Sequence, residues 1–195
     1  MKKFILLFLV SPLYLYSQKF STFGLTAGYI RSQLIGDHYK GYDKQGFDVG
    51  VFSQLRIGKQ ADLKMELLLI NKGCVDKGNK KLNKDYSTYF QTLYYMEMPI
   101  LFQYNLKKVS FEAGPGLGIL IWNLDFEHNT LKYLSRTPTF LETTFNLGVG
   151  YLYSDRLNIN LRYSNSIIPI RTEPTSQYNS VFALSLYYKL MLRKV

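Results

Sequence analysis

Acidic and basic residues recur at alternate positions along this chain, and they are the residues whose spacing could support chemistry. Facing carboxylates and bases could relay protons, act as general acid and base, or neutralise one another. The set comprises Asp48, Arg56, Lys64, Glu66, Glu97, Glu112, Glu142, Arg162 and Lys189, with Lys72 on the same face. Five acids then face five bases, so we interpret the set as a neutral ion-paired network rather than an ion path.

Two histidines are the candidates for nucleophilic or metal chemistry. His38 follows Asp37, and His128 follows Glu127. Residues adjacent in sequence rarely place their side chains for a proton relay, and the chain has no Gly-x-Ser-x-Gly motif. We therefore expect no catalytic residue, no metal site and no cofactor. A rim enzyme is the minor alternative.

A second basic group is concentrated in one polar segment. Its members are Lys72, Lys77, Lys80, Lys81 and Lys84. The plain interpretation is a solvated, charged loop, and the functional alternative is contact with an anionic polysaccharide, which salt would screen. The single cysteine, Cys74, lies in the same stretch, cannot form an internal disulfide, and is expected to be incidental.

The charged residues are positioned by segments in which apolar and polar residues alternate. From 140 to 153, one parity carries Phe145, Leu147 and Val149, while the other carries Asn146 and Gly148. Successive side chains of a β-strand point to opposite faces, so the segment has one apolar face. The pattern predicts eight strands, at 20–31, 47–58, 62–72, 93–105, 109–121, 140–153, 156–164 and 181–190.

The connections between these strands alternate in length. Short turns fall at 58–61, 105–108 and 154–155, and long polar segments fall at 32–46, 73–92, 123–139 and 165–180. Outer-membrane barrels place short turns in the periplasm and long loops outside. The sequence thus predicts an all-β fold, an eight-stranded antiparallel up-and-down transmembrane β-barrel. Pro99 and Pro115 lie within strands, where we expect a bulge or bend.

The start of the chain indicates export. Lys2 and Lys3 precede an apolar run, and Ser17 is a small residue at a suitable cleavage position. This run is shorter than the ~20 residues that a spanning helix requires. We predict a signal peptide at 1–17 and a barrel domain at 18–195. The net charge of +10 falls to +8 without Lys2 and Lys3, and export makes nucleic acid an unsuitable partner.

Alternation alone does not say which face of the barrel is inside. A soluble, lipocalin-like barrel would turn its apolar face inward, around a small apolar ligand. Three features favour lipid outside: the apolar face carries no charge, the polar face is rich in glycine, and the loops are asymmetric. The favoured location is therefore the outer membrane of a Gram-negative bacterium.

Several short motifs occur in a characteristic order. They are GFDVGVF at 46–52, MELL at 65–68 with NKG at 71–73, YMEMPIL at 95–101, FEAGPGLG at 111–118 and LRYS at 161–164. In these motifs the chain resembles the PorT-type outer-membrane β-barrel family, over nearly the whole mature chain. The resemblance implies an eight-stranded outer-membrane barrel and a link to protein secretion, and it brings no catalytic motif.

These observations predict a non-enzymatic scaffold or interaction protein, serving protein secretion or envelope integrity. The expected partners are outer-membrane lipids, lipopolysaccharide and proteins of a secretion machinery, around a monomeric barrel. The alternatives are a narrow, porin-like channel for ions or small molecules and the soluble ligand-binding barrel.

Overall fold

The described part of the chain consists of strands joined by turns and loops. The structure is a computed structural model that describes residues 22–36, 41–76, 89–127, 130–131, 138–172 and 175–192. The predicted signal peptide lies outside these residues. Within the described ranges, no helix has the length and hydropathy needed to cross a bilayer.

Eight long strands and one short strand make up this part of the chain. They are β1 (Thr22–Ile35), β2 (Lys44–Arg56), β3 (Ala61–Asp76), β4 (Tyr89–Leu106), β5 (Val109–Glu127), β6 (Thr130–Leu131), β7 (Leu141–Leu152), β8 (Leu157–Ser166) and β9 (Tyr178–Leu192). The short β6 pairs only with the far end of β5. Every predicted strand is present.

The eight long strands close into an antiparallel barrel. Each pairs with its neighbours in chain order, β1 pairs with β9, and β4 pairs with β5 to complete the ring. Closure leaves the wall without an open strand edge, and every strand can satisfy its backbone groups within the wall. The predicted fold class, an eight-stranded antiparallel barrel, is confirmed.

The apolar face of the barrel points outward. Large apolar side chains cover the outer wall on all eight long strands, for example Leu67 at 46%, Leu147 at 48% and Leu184 at 53% exposed. The acidic residues of the other parity, and the bases Lys64, Lys72 and Arg162, point into the barrel and are buried. An apolar outer wall of this extent requires lipid around it. The soluble barrel with an apolar interior is therefore wrong.

The strands extend further at the long-loop end than the alternation predicts. β5 was predicted to end at residue 121 and ends at Glu127, and β3 was predicted to end at 72 and ends at Asp76. On β5 the alternation is lost because the register shifts at Tyr94/Tyr95: the consecutive residues Ile121 and Trp122 are both exposed, while the backbone ladder continues to Glu127. The alternation of apolar and polar residues reflects contact of one strand face with lipid. Backbone hydrogen bonding between the strands does not require that contact.

Residues that break the alternation identify an apolar group inside the barrel. Phe52, Leu68 and Ile70 have inward parity and are at most 5% exposed. Ile70 belongs to a buried cluster that we call the apolar plug: Ile30, Leu34, Ile70, Cys74, Leu93, Tyr95, Ile170, Val181 and Ala183. The plug lies in the half of the lumen nearer the long loops, beside buried polar residues such as Lys72 and Gln91. Cys74 is therefore a buried residue rather than part of a solvated loop.

Pro99 and Pro115 interrupt the ladders of β4 without shifting their register. The flanking partners are Met65↔Ile100 and Leu68↔Glu97 toward β3, and Phe102↔Ala113 and Pro99↔Gly116 toward β5. No bulge occurs at either proline, because the register is the same on both sides of each gap. Proline has no N–H to donate, so the ladder is left open over two residues. The register shifts lie elsewhere, at Phe23/Gly24 and Tyr94/Tyr95.

Aromatic residues hold the long-loop rim together beside β8 and β9. Tyr42 packs edge-on against Phe182, with ring centroids 4.9 Å apart, and Phe182 lies 5.0 Å from the ring of Tyr163. Ser180 Oγ links the two tyrosine hydroxyls at 2.8 and 3.1 Å. These rings combine an apolar body with a hydroxyl that needs a polar partner, which suits the membrane interface.

Candidate functional site

The centre of the lumen holds a compact group of charges from four strands. We call it the Arg162 group: Lys64 and Glu66 on β3, Glu112 on β5, Arg162 on β8 and Tyr187 on β9. The side chains of these residues alternate with outward apolar residues, so strand geometry alone turns them inward. All five are buried.

Arg162 binds both carboxylates of this group. Its Nη1 and Nη2 atoms donate to the two oxygens of Glu66 at 2.7 and 2.8 Å. Its Nε and Nη2 donate to Glu112 Oε1 at 2.9 and 2.6 Å. Bidentate guanidinium–carboxylate contacts of this kind are short and geometrically specific. The arginine therefore links β8 to β3, on the opposite side of the lumen, and to β5, two strands away.

Lys64 and Tyr187 complete the same group. Lys64 Nζ lies 3.1 Å from Glu66 Oε1 and also contacts Glu112 Oε2. The Tyr187 hydroxyl accepts a bond from Arg162 Nη2 at 2.9 Å and donates to Glu66 Oε1 at 3.1 Å. The Lys64 ammonium also lies 4.5 Å from the centre of the Tyr187 ring. Two cations thus neutralise two carboxylates, with the tyrosine as an additional ligand.

Glycines on the inward face make room for these side chains. A Cβ atom at Gly148 would come within 2.7 Å of Glu112 Oε1, and one at Gly28 within 2.6 Å of Asp48 Oδ1. Real Cβ contacts are essentially never shorter than 3.0 Å. An eight-stranded barrel has only enough interior for its own side chains, so each large charged residue needs a small one opposite.

A second group surrounds Lys72. We call it the Lys72 group: Lys72, Glu97, Glu142, Ser166 and Asn179. The ammonium contacts Glu97 Oε1, lies 2.6 Å from Glu142 Oε2, and sits 4.5 Å from the centre of the Tyr95 ring. Ser166 Oγ and Asn179 Nδ2 donate to Glu142 Oε1 at 2.5 and 2.9 Å. One lysine is therefore shared by two buried carboxylates.

The charged residues predicted to point inward fall into two groups in the structure, one in the barrel interior and one at the end of the lumen. Five carboxylates (Asp48, Glu66, Glu97, Glu112, Glu142) and three bases (Lys64, Lys72, Arg162) of this set are buried, and so are Asp62, Lys44 and Arg171, which the set did not include. Arg56 and Lys189 have inward parity but lie at the end of the lumen near the short turns. Two of the five predicted bases are therefore not buried, because parity does not give depth along the axis. In all, six acids and five bases are buried among the described residues.

Asp48 differs from the other buried carboxylates. Its Oδ2 accepts a bond of 2.8 Å from Ser185 Oγ, and its Oδ1 has no hydrogen-bond partner among the described residues. No ion pair joins it to a base in the described part of the chain. Inward parity identified this residue, but it could not indicate that the residue's partner would be a hydroxyl.

The lysines predicted to form one basic loop do not all belong to a loop. Lys72 was assigned both to the inward face and to the basic loop, and it is 1% exposed inside the barrel. It therefore does not belong to a solvent-facing loop. Lys77, Lys80, Lys81 and Lys84 lie outside the described residues, so their contact with an anionic polysaccharide stays a prediction. His38 and His128 also lie outside them.

The arrangement is suited to neutralising charge within the wall of strands. The carboxylates of the two groups are held by cations and hydrogen-bond donors, which is how buried charges become tolerable. Among the described residues, no group of three or more His, Cys, Asp or Glu side chains could hold a metal ion. The lumen network thus joins the far walls of the barrel.

The comparisons with known proteins agree with this architecture. Ail of Yersinia pestis superposes with a TM-score of 0.53 at 13% identity, over 87% of this chain and 99% of Ail. Neisserial surface protein A superposes with a TM-score of 0.55 at 11% identity, over 86% of this chain and 97% of that protein. At such identities the likeness concerns the fold alone. No curated protein matches the chain.

The sequence itself matches a family model over most of its length. The model is described as an outer membrane protein beta-barrel domain, and it matches residues 16–171. Its match agrees with the closed barrel and with the apolar outer wall. The predicted location in the Gram-negative outer membrane is therefore confirmed, and the chain belongs to the outer membrane protein beta-barrel domain family.

Proposed function

We propose that the protein is a non-enzymatic, non-conducting scaffold of the outer membrane that offers its rims to partners. The observation that supports this most strongly is the Arg162 group, which spans the lumen from β3 to β5 and β8. Toward the long loops, the Lys72 group and the apolar plug pack against each other inside the barrel. Ions crossing this path would have to displace paired charges and packed side chains.

A narrow cation channel is the second candidate. It is favoured by the carboxylates buried in the lumen, since carboxylates lining a pore attract cations. Asp48, whose Oδ1 has no hydrogen-bond partner among the described residues, would be the first ligand on such a path. The apolar plug opposes this function, because most of its side chains are aliphatic and offer a passing ion no ligands.

Conductance of the full chain in planar bilayers distinguishes the two functions. We expect wild-type protein to give no step currents above those of a protein-free bilayer, and Glu97→Gln to give none either. Heat-shifted bands on a gel serve as the control that both proteins are folded in the bilayer preparation. Reproducible cation-selective steps that disappear in Asp48→Asn would establish the channel and refute the closed scaffold.

We extend the proposal to protein secretion or envelope integrity, with lipopolysaccharide and secretion-machinery proteins as contacts of a monomeric barrel. The support is the resemblance to PorT-type barrels in motifs such as YMEMPIL at 95–101. A photo-crosslinking residue at Phe140, on the long-loop rim, should capture a specific protein in cells. The same residue at Leu184, on the outer wall, should capture only lipid, and capture of lipid alone at both positions would refute a protein partner at this rim.

A further inference from the structure

A polar cavity opens at the end of the lumen near the short turns. Its volume is about 160 Å³, and its walls come from all eight long strands and from the β4–β5 turn. Because short turns of such barrels lie in the periplasm, we call it the periplasmic cavity. The space equals that of about five water molecules, at roughly 30 Å³ each.

Basic residues predominate around this cavity. Arg56, Lys107, Lys108 and Lys189 line it, and Asp62 is the acid among its lining residues. Both oxygens of Asp62 are already engaged, Oδ1 by Arg56 Nε and Oδ2 by Asn105 Nδ2 at 2.7 Å. The three lysines have no ion-pair partner among the described residues. Four basic residues and one acid line the cavity, so it carries an excess of positive charge.

The amide wall of the cavity is pre-arranged. Gln54 Nε2 donates to Gln103 Oε1 at 2.8 Å, and Gln103 Nε2 donates to Asn105 Oδ1 at 2.8 Å. Asn105 in turn donates to Asp62, which is bound to Arg56. This continuous chain of bonds orients the side chains beside Lys189, so a ligand would meet a fixed surface.

The β4–β5 turn carries an unusual residue for its geometry. Lys107 has a φ of +56°, and it is the one described residue other than glycine whose φ is positive. Tight hairpin turns prefer Asn, Asp or Gly where φ is positive. A lysine in this conformation costs stability, and such residues persist where they serve a function. It places a second lysine beside Lys108 at the cavity.

We propose that the periplasmic cavity binds a phosphate group. Three lysines and one arginine at a partly enclosed polar site provide charge-assisted donors for tetrahedral anionic oxygens. The group could belong to a phospholipid headgroup of the inner leaflet or to a soluble phosphate of the periplasm, since both present the same chemistry. This site is separate from the Arg162 group and does not depend on the scaffold function.

The test uses the full chain folded in uncharged maltoside micelles, with Lys189→Gln as the variant. Inorganic phosphate is titrated while the side-chain amide signals of Gln103 and Asn105 are followed by NMR. We expect saturable shifts in wild type and binding weakened about tenfold in the variant, the loss of one charge-assisted bond. Lys59→Gln is the matched control, because Lys59 is an exposed turn residue that does not line the cavity.

The outcomes separate the two sources of phosphate. If the site takes a lipid headgroup, the amide signals shift when phosphatidylglycerol is added to the micelles, and inorganic phosphate then shifts them less. If it takes a soluble anion, the signals respond to inorganic phosphate and not to the lipid. The proposal is overturned if neither probe gives saturable shifts, or if Lys59→Gln weakens binding as much as Lys189→Gln. Heat-shifted gel bands for both variants exclude unfolding as the cause.

Discussion

At the scale of single residues, Arg162 is the contact on which most of the interior depends. Arg162→Ala leaves Glu66 and Glu112 with Lys64 as their shared cation, inside a wall that excludes water. Breaking a buried ion pair by removing one partner costs about 3–5 kcal/mol. We expect a loss of this order in the free energy of unfolding, measured by urea titration of the barrel in lipid vesicles.

A matched arginine provides the control for that loss. Arg156 is exposed at the β7–β8 turn, so Arg156→Ala should change the free energy of unfolding by less than about 0.5 kcal/mol. Equal losses in the two variants would mean that the lumen network contributes no more than an exposed charge. A loss confined to Arg162→Ala would show that the interior is held by its ion pairs.

The sequence could predict which charged residues point inward, but not how they pair. Parity alone placed Glu66, Glu112 and Arg162 on one face, because side-chain direction in a strand is fixed every second residue. The pairing depends on the tilt and register of eight strands, which bring together residues such as Glu66 and Arg162 that are 96 positions apart. Lys72 shows the same limit, since its polar neighbours in sequence indicated a loop.

At the scale of secondary-structure elements, β4 is the strand with interrupted ladders. Pro115→Val would restore an N–H donor opposite the gap and keep an apolar side chain toward lipid. An unsatisfied backbone group is costly in the hydrocarbon layer. We expect the variant to be more stable by about 1 kcal/mol in the same urea titration, the net value of one hydrogen bond.

Leu117→Val is the control for this strand. It lies two residues further along the same face of β5 and changes no backbone donor. It should leave the free energy of unfolding within about 0.5 kcal/mol of wild type. If Pro115→Val gave no gain or destabilised the barrel, the gap would have to be satisfied by another route.

The elements themselves were largely predictable, and their ends were not. Alternation found every long strand, because each crosses a zone with lipid on one side and packed polar groups on the other. It could not find the ends of β3 and β5 toward the long loops. Both faces of β3 are buried there, and a register shift reverses the parity of β5. The apolar plug was missed for a related reason: Ile30 and Val181 look like ordinary strand residues unless their parity is counted.

At the scale of the whole molecule, the barrel exists only when β1 and β9 are joined. The two strands pair along their full length, from Thr22↔Leu192 to Ile35↔Tyr178. We expect wild-type chain in the outer-membrane fraction to run faster on a gel before boiling than after it. A chain lacking residues 178–192 should show one band at all temperatures, because two strand edges would stay open.

The same gel can also contradict the prediction that β1 must pair with β9 to close the barrel. A faster unboiled band from the shortened chain would mean that the remaining strands form a compact barrel of their own. The gel also needs a folded control, for which the Arg156→Ala variant is suitable. The architecture was predictable from the sequence because lipid requires an apolar outer face on every strand. No comparable requirement indicates which partners bind at the rims of the barrel.

The meeting of β1 and β9 also makes the barrel permutable. Thr22 and Leu192 are register partners, so a short linker could join them without disturbing the wall. New chain ends could then be opened at residues 107–108, on the same periplasmic side. The resulting circular permutant would keep every neighbouring pair of strands while changing which strand is made first. The fold is therefore defined by which strands pair and in which register. The order of the strands along the chain is one of several that would give the same barrel.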